Sequence, residues 1–394
     1  MYLFTCESVS PGHPDKCADI IADRIVDRLL GLDRNARVAT EVFVVGDRVI
    51  IGGEVRLKEE VDEEFYIQCA KEALSFIGYP EEGFASDQTI DPEALHYEVY
   101  VHRQSSEIAM GVDKEEEIGA GDQGMMIGYA TDERPDLMPH AIMMAREIRD
   151  ILYHYAKLHP ELFGVDLKTE VVLDYGSRAA FEAGEPKRID KIVVAQSHSE
   201  AISEEEVRHR VQELILAKAS FKELVDSETD FIVNGTGKFV THGPIADSGL
   251  TGRKIVVDNY GAYAPIGGGA QSTKDYTKVD RSGHYAARWL AKHIVASGLA
   301  KRAQVELSYV IGQARPLNVT VYTFGSGKIA DEELNGAIFE RFPLTPLWIT
   351  RHFGLDAPQG FSYMEVAAKG QVGYEHYPWE QLDELEWFKT LLSS

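Results

Sequence analysis

Cysteine is scarce in this chain: Cys6, Cys17 and Cys69 are the three thiols in 394 residues. Three scattered thiols make neither a disulfide framework nor a zinc site, and the expected compartment is the reducing cytoplasm. No apolar run approaches the ~20 residues needed to cross a bilayer. The opening residues MYLFTCESVSPGHPDK also lack the basic and apolar regions of a secretory signal. Positive charge is short as well, with 40 Lys and Arg against 64 Asp and Glu and a net charge of −24. Nucleic-acid binding needs a broad basic face, so neither a nucleic-acid nor a membrane partner is expected. Two phosphate-binding signatures are missing too. No glycine stands five residues before a Gly-Lys pair, and NGTGKF lacks the third glycine of a dinucleotide fingerprint.

What the sequence does have is a recurring order of elements. PDKCADIIADRIVDRLLG reads as a helix, with Pro14 at its first position, Ile21, Ile25 and Leu29 four apart, and Gly31 as a stop. ARVATEVFVVGDRVIIGGEV follows as a hairpin and EEVDEEFYIQCAKEALSFIG as a second helix. The middle third repeats this with LMPHAIMMAREIRDILYHYAKL, the strands TEVVLDYG and RIDKIVVAQS, and a helix opened by Ser203 with Glu206 in capping-box position. The last third has the helix DRSGHYAARWLAKHIVASG, the strands QVELSYVIG and LNVTVYTFG, and the helix DEELNGAIFERF. Helix, strand pair and helix, three times, predicts an α+β fold of three pseudo-threefold-related domains, each a mixed sheet covered by helices on one face. The expected divisions are 1–104, a lid or linker at 105–119, 120–240 and 241–394.

The few positive charges gather in short glycine-rich stretches. GGGAQSTKDYTKVDRSG, residues 267–283, joins three bare backbone units to Lys274, Lys278 and Asp280. HGPIADSGLTGRK carries Asp247 in a turn and sets Arg253 and Lys254 before the apolar IVVDNY, read as a strand. In SPGHPDK, His13 stands at the positive end of the first helix, with Asp15 and Lys16 in its first turn. A carboxylate facing phosphates makes sense with a cation such as Mg²⁺ between them, and otherwise Asp15 is an ordinary helix-start residue. GAGDQG, around Asp122, permits close backbone approach to a ligand or simply a tight turn. Asp166 and Lys168, two apart on a strand, share a face. Glu41 and Glu54 lie on facing strands of the first hairpin and point either inward or onto an exposed face. Five cations, Lys168, Arg253, Lys254, Lys274 and Lys278, suffice to surround a polyphosphate. Each opposite-charge pair at ~4 Å contributes about 4 kcal/mol gross at an effective dielectric of 20, which outweighs screened repulsion from the acidic surface.

Taken together and in this order, GHPDK, GAGDQG, DSGLTGRK and GGGA…KD…KVDRS resemble the S-adenosylmethionine synthetases (methionine adenosyltransferases), as do FTCESVS, IGGE and YPWE. The resemblance runs along nearly the whole chain. It implies a homodimer or homotetramer with sites at the subunit interface, ATP and L-methionine as substrates, two Mg²⁺ per site and one K⁺. The implied reaction is attack of the methionine sulfur on the ATP 5′ carbon, which expels tripolyphosphate that is then hydrolysed to phosphate and diphosphate. A thioether carries no proton, so no general base is needed.

By matching motifs, the resemblance gives His13 and Lys168 to the leaving oxygen. It gives Arg253, Lys254 and Lys274 to the phosphates, and Asp166, Lys238, Phe239, Asp247 and the backbone of Ala270 to the rest of ATP. Glu54, Gln104, Asp122, Asp247 and Lys278 would surround methionine, Asp15 and Asp280 would hold Mg²⁺, and Glu41 K⁺. The chain departs from the family pattern in its lid, QSSEIAMGV, and in NGTGKFV, where Gly235 and Gly237 precede Lys238. His242 and Thr273 stand where glycine is common, Gln271 replaces phenylalanine, and Cys6 replaces serine. Two other readings compete: an ATP-dependent ligase or kinase acting on a small amino acid, which would release AMP or ADP, and a non-catalytic nucleotide-binding subunit.

Overall fold

The computed structural model describes residues 1–104, 113–114 and 117–392. Three sheets carry the architecture. The first runs in the order Gly249–Leu250, Arg37–Val45, Arg48–Arg56, His96–Arg103, and the second in the order Leu3–Val9, Phe163–Asp174, Arg188–His198, Asp230–Val233. The third is Asn318–Tyr322, Arg302–Tyr309, Gly124–Thr131. Two long helices cover one face of each sheet: Pro14–Leu32 with Glu63–Ile77, His140–Leu158 with Glu204–Lys218, and Val279–Ala296 with Asp331–Arg341. The α+β class and the threefold repeat are as the pattern predicts.

The sheets are stitched together by exchanged strands. The first strand, Leu3–Val9, pairs antiparallel with Phe163–Asp174 in the second sheet. Gly124–Thr131 pairs with Arg302–Tyr309 in the third, and Gly249–Leu250 returns to the edge of the first. Each of the expected divisions 1–104, 120–240 and 241–394 therefore lends a strand to the sheet of another. Sequence periodicity carries no signal for such pairing, because a strand reads alike whichever neighbour it joins.

Local chemistry explains the element ends. His13 caps the first helix with its Nδ1, which accepts the Asp15 N–H at 3.2 Å, and Pro14 opens the helix without needing a donor. Asp62 and Ser203 cap Glu63–Ile77 and Glu204–Lys218 through the N–H groups of Phe65 and Glu206. The buried stripe Ile21, Ile25 and Leu29 faces the first sheet's Val38, Val42 and Val44. Each such aliphatic side chain contributes about 1.5–3 kcal/mol on burial.

One reading is corrected. IVVDNY is not a strand: Ile255–Asp258 is a short helix. It has no strand edge to join, and Asp258 turns inward to meet Lys16 Nζ at 2.6 Å while Arg146 takes the carbonyls of Val257 and Asn259. Apolar composition alone does not separate a short buried helix from a strand. Of the lid segment, 105–112 and 115–116 lie outside the described residues. Asp113–Lys114 and Glu117–Ile118 pair as a short antiparallel hairpin.

Candidate active site

The site is organised by four aspartates of the first helix. Asp15, Asp19, Asp23 and Asp27 are four residues apart, so they form one stripe along the helix. Each takes backbone N–H groups from residues 250–364, far along the chain. Asp15 accepts from Leu250 at 3.0 Å and Asp19 from Gly252 at 2.9 Å. Asp23 accepts from Thr273 at 3.0 Å, and Asp27 from Tyr363 and Met364 at 2.8 and 2.9 Å. This stripe fastens both basic loops, 247–254 and 267–275, to the helix that begins with His13. Gly249 makes the contact possible, since a Cβ there would lie 2.0 Å from the Pro14 carbonyl oxygen.

Both loops also run along the outer edge of strand Arg37–Val45. Gly249–Leu250 pairs with Val44 and Phe43, while the Thr40 N–H donates to the Thr273 carbonyl and Ala39 bridges to Lys274. Ala39 is opposite Glu54 on its other side. Paired positions share a face and alternate positions return to it, so Glu41, Glu54 and Lys274 all lie on the side away from the covering helices. This resolves the alternative left by the sequence: the two glutamates are on the uncovered face. Glu41 is exposed and accepts from Thr251 Oγ1. Gln104 continues the neighbouring strand, its N–H on the Val55 carbonyl at 3.1 Å.

Four of the five cations rest against carboxylates along this edge. Lys254 Nζ is 2.5 Å from Asp15 and Arg253 Nε is 3.2 Å from its other oxygen. Lys274 pairs with Asp280 at 2.5 Å and Lys278 with the buried Asp275 at 2.5 Å. Asp280 has room because residue 269 is glycine, for a Cβ there would lie 2.2 Å from its Oδ1. Gly252 brings its loop against Ala270, and Gly121 and Gly124 bring the Asp122 turn beside Thr277 and Asp280. The fifth, Lys168, is half-exposed on the second sheet and pairs with Glu7 at 2.5 Å rather than with this row. Lys238 is exposed and Asp247 lies at an exposed turn.

Protonation follows from burial and these charges. Burial and the nearby Lys254 charge push the His13 ring down to about 4, against a smaller opposing pull from Asp15. The ring is neutral in the free protein. With Nδ1 accepting from the backbone, its proton is on Nε2, which makes His13 a hydrogen-bond donor rather than a cation. Burial works to raise the Asp15 carboxyl, but Lys254 and the Leu250 N–H hold it below the usual carboxylate range. Burial pushes Asp166 up to about 6, although the Gly243 N–H donates to it at 2.8 Å. Phe239 is fixed from both backbone atoms by His198, through Nε2 at 3.2 Å and its N–H at 2.9 Å.

Family models for S-adenosylmethionine synthetase match in chain order: the N-terminal domain over 1–106, the central domain over 117–239 and the C-terminal domain over 241–381. The chain belongs to the S-adenosylmethionine synthetase family. An S-adenosylmethionine synthase from Synechococcus elongatus is 43% identical over 98% of this chain and 96% of its own length. One from Chlorobium phaeobacteroides is 40% identical over 100% and 98%. A solved structure described as an unusual S-adenosylmethionine synthetase from Campylobacter jejuni superposes with a TM-score of 0.95, at 50% identity over the whole of both chains. S-adenosylmethionine synthetases are metal-dependent transferases that join ATP to methionine, and the resemblance seen in the motifs is that of the whole chain.

Among the residues the motifs did not signal, the aspartate stripe is the most consequential. Its four-residue spacing was present in PDKCADIIADRIVDRL, alongside the apolar periodicity. His242 and Glu81, buried behind Asp166, were also outside the set of proposed roles, although the unusual histidine was visible.

Proposed function

We propose that the enzyme makes S-adenosylmethionine by direct attack of the methionine sulfur on the 5′ carbon of ATP, with the residue roles the motifs imply. The observation that carries the reading is the single row His13, Asp15, Lys254, Arg253, Lys274 and Asp280 along one strand edge. A triphosphate laid on that row takes the place of Asp15 and Asp280 as the partner of the three cations. His13 stands at one end, where its Nε2–H donates to the oxygen leaving C5′, assisted by Lys168. Charge that develops on this oxygen meets a preset donor and needs no solvent to reorganise. Aligning sulfur, carbon and leaving oxygen removes up to ~7–11 kcal/mol from the barrier.

Among the described residues no three His, Cys, Asp or Glu converge to cage a metal. Mg²⁺ needs no cage: it binds through one or two carboxylates and completes its shell with phosphate oxygens and water. Asp15 and Asp280 fit that requirement, and the absent Cβ of Gly269 leaves the space. When bound, the metal supplies the positive charge that allows carboxylates beside a polyphosphate. The reading assigns two Mg²⁺ per site, with Glu41 offering an exposed carboxylate to one K⁺. Asp166, Lys238, Phe239, Asp247 and the Ala270 backbone take the nucleoside end, and Glu54, Gln104, Asp122 and Lys278 take methionine.

The uncovered face of the first sheet carries Phe43, Ile50, Tyr100 and Leu250 among its charges, with Tyr100 55% exposed. This partly apolar face supports the reading of a homodimer or a dimer of dimers, in which a second copy of the chain covers it and the site lies at the interface. Cytoplasmic residence is part of this reading, supported by the scarcity of cysteine; no described helix is long and apolar enough to cross a membrane. The three family segments are read as domains at 1–104, 120–240 and 241–394 joined by the 105–119 lid.

The reading is tested by incubating the protein with ATP, L-methionine, Mg²⁺ and K⁺ and analysing products by mass spectrometry and phosphorus NMR. The expected products are S-adenosylmethionine with equal phosphate and diphosphate. ADP or AMP would instead indicate a kinase or ligase, and nucleotide binding without product a non-catalytic subunit.

A further inference from the structure

We propose that His242 and Glu81 form a buried imidazolium–carboxylate pair that positions the purine- and ribose-facing segment 239–243, a role that rests on the nucleotide assignment of Asp166 and Phe239 above. Both side chains are fully buried, and His242 Nε2 lies 2.6 Å from Glu81 Oε2. His242 Nδ1 is 2.8 Å from the Val240 carbonyl, which can only accept, so Nδ1 carries a proton. Glu81 receives two further donors, the Val165 N–H at 2.6 Å and Thr89 Oγ1 at 2.7 Å. A 2.6 Å contact between Nε2 and Oε2 needs one proton between them, and the imidazole, the stronger base of the two, is assigned it, which makes the pair imidazolium and carboxylate.

The pair joins three segments distant in sequence. Glu81 follows the second helix, Val165 is in the strand that carries Asp166 and Lys168, and His242 ends the stretch that carries Phe239. The next residue, Gly243, donates its N–H to Asp166 Oδ2 at 2.8 Å. The stretch 239–243 is thus held at one end by His198 and at the other by His242, while the His242 ring sits between the edges of Phe84 and Phe239, at centroid distances of 4.6 and 6.5 Å. Gly164 leaves space for it, since a Cβ there would lie 2.9 Å from Nε2. The charged groups facing the ring are Glu81 and Asp166, with Asp247 farther out on the loop. Holding the segment before the nucleotide arrives removes ordering that binding would otherwise have to supply. A glycine at position 242 could make none of these contacts.

Two variants and one spectrum test this. In His242→Gln and Glu81→Gln the KM for ATP is expected to rise by about tenfold while the KM for methionine stays within about twofold. Thermal melting checks that each variant still unfolds cooperatively. In the wild type, a nitrogen-15 NMR pH titration is expected to show one histidine that keeps both ring protons to higher pH than an ordinary histidine, a signal absent from His242→Gln and altered in Glu81→Gln. Equal changes in both KM values, no change in a folded variant, or a ring that loses its second proton as an ordinary histidine does would overturn the proposal. Should His242→Gln not fold, Glu81→Gln and the wild-type spectrum still decide it. If the wild type makes no sulfonium product yet ATP affinity falls in the variants, the nucleotide-positioning role stands and the reaction assigned above is what fails.

Discussion

Asp23 and Arg281, 258 residues apart, meet with both carboxylate oxygens 2.6 Å from one guanidinium nitrogen, and neither side chain is exposed. Asp23 also takes the Thr273 N–H, so one carboxylate fixes the glycine-rich loop to the first helix. Asp23→Ala leaves a buried guanidinium without its counter-charge and is expected to cost about 3–5 kcal/mol. Glu72→Ala removes a partly exposed partner of Arg24 and Arg28 and is expected to cost at most about 1 kcal/mol. Urea unfolding of the two variants measures the contrast, and similar losses would show that the interior pair is not what anchors the loop.

Thr273 adopts φ of 89°, in the region glycine favours, although it is β-branched, and it is fully buried with an unpartnered hydroxyl. Left-handed backbone of this kind costs about 1–3 kcal/mol, and glycine's extra chain entropy offsets roughly 0.5–1 kcal/mol of the relief. Thr273→Gly is expected to raise the melting temperature with a net gain of about 1 kcal/mol. A lower melting temperature would mean that the methyl group's packing outweighs the strain.

Gly269→Ala puts a methyl group on the Asp280 carboxylate. The expected result is a rise of about tenfold or more in the Mg²⁺ concentration giving half-maximal rate. Titrating activity against Mg²⁺ tests it. An unchanged requirement would remove Asp280 from the metal site.

His13 is assigned a transition-state contact, so His13→Ala should lower kcat by about 10²–10³ and leave both KM values near those of the wild type. Glu41→Ala, at the monovalent-ion position, should lower kcat less. Steady-state kinetics with both substrates varied checks the order. A larger loss for Glu41→Ala would reverse the assignment.

Burial would lower the affinity of the His242 ring for its proton, but Glu81 and the Val240 carbonyl more than offset it, and the ring titrates above the ordinary histidine value. A group whose folded value is raised stabilises fully below its unfolded value and loses that contribution as pH rises through the folded one. Wild-type stability is therefore expected to decline from about pH 6.5 upward, by at most about 1.4 kcal/mol per pH unit from this group. Urea unfolding across alkaline pH should show this component in the wild type and not in His242→Gln. Parallel profiles would contradict it.

The helices and hairpins were legible because each carries its own period and cap: Ile21, Ile25 and Leu29 on one side, Ser203 and Glu206 at a start. The cations proposed to face phosphate were legible because glycine and basic residues cluster in short stretches. Which sheet Leu3–Val9 joins was not, because pairing across more than 150 residues leaves no local trace. The Ile255–Asp258 helix was misread because four residues are too few to display a period. The charge state of His13 depends on its burial first and then on Lys254 coming close through the Asp15 contact, both of which distance along the chain conceals. The aspartate stripe was readable, but its purpose is visible only once the loops it holds are folded against it.

In the proposed reaction, methionine sulfur displaces the whole triphosphate across the row running from His13 to Asp280. A single-turnover experiment with γ-labelled ATP, enzyme in excess and acid quenching at millisecond intervals tests it most directly. S-adenosylmethionine and tripolyphosphate are expected to form together, and the tripolyphosphate then to decay to phosphate and diphosphate on the enzyme. Phosphate appearing together with ADP before any sulfonium, or AMP with diphosphate, would contradict it.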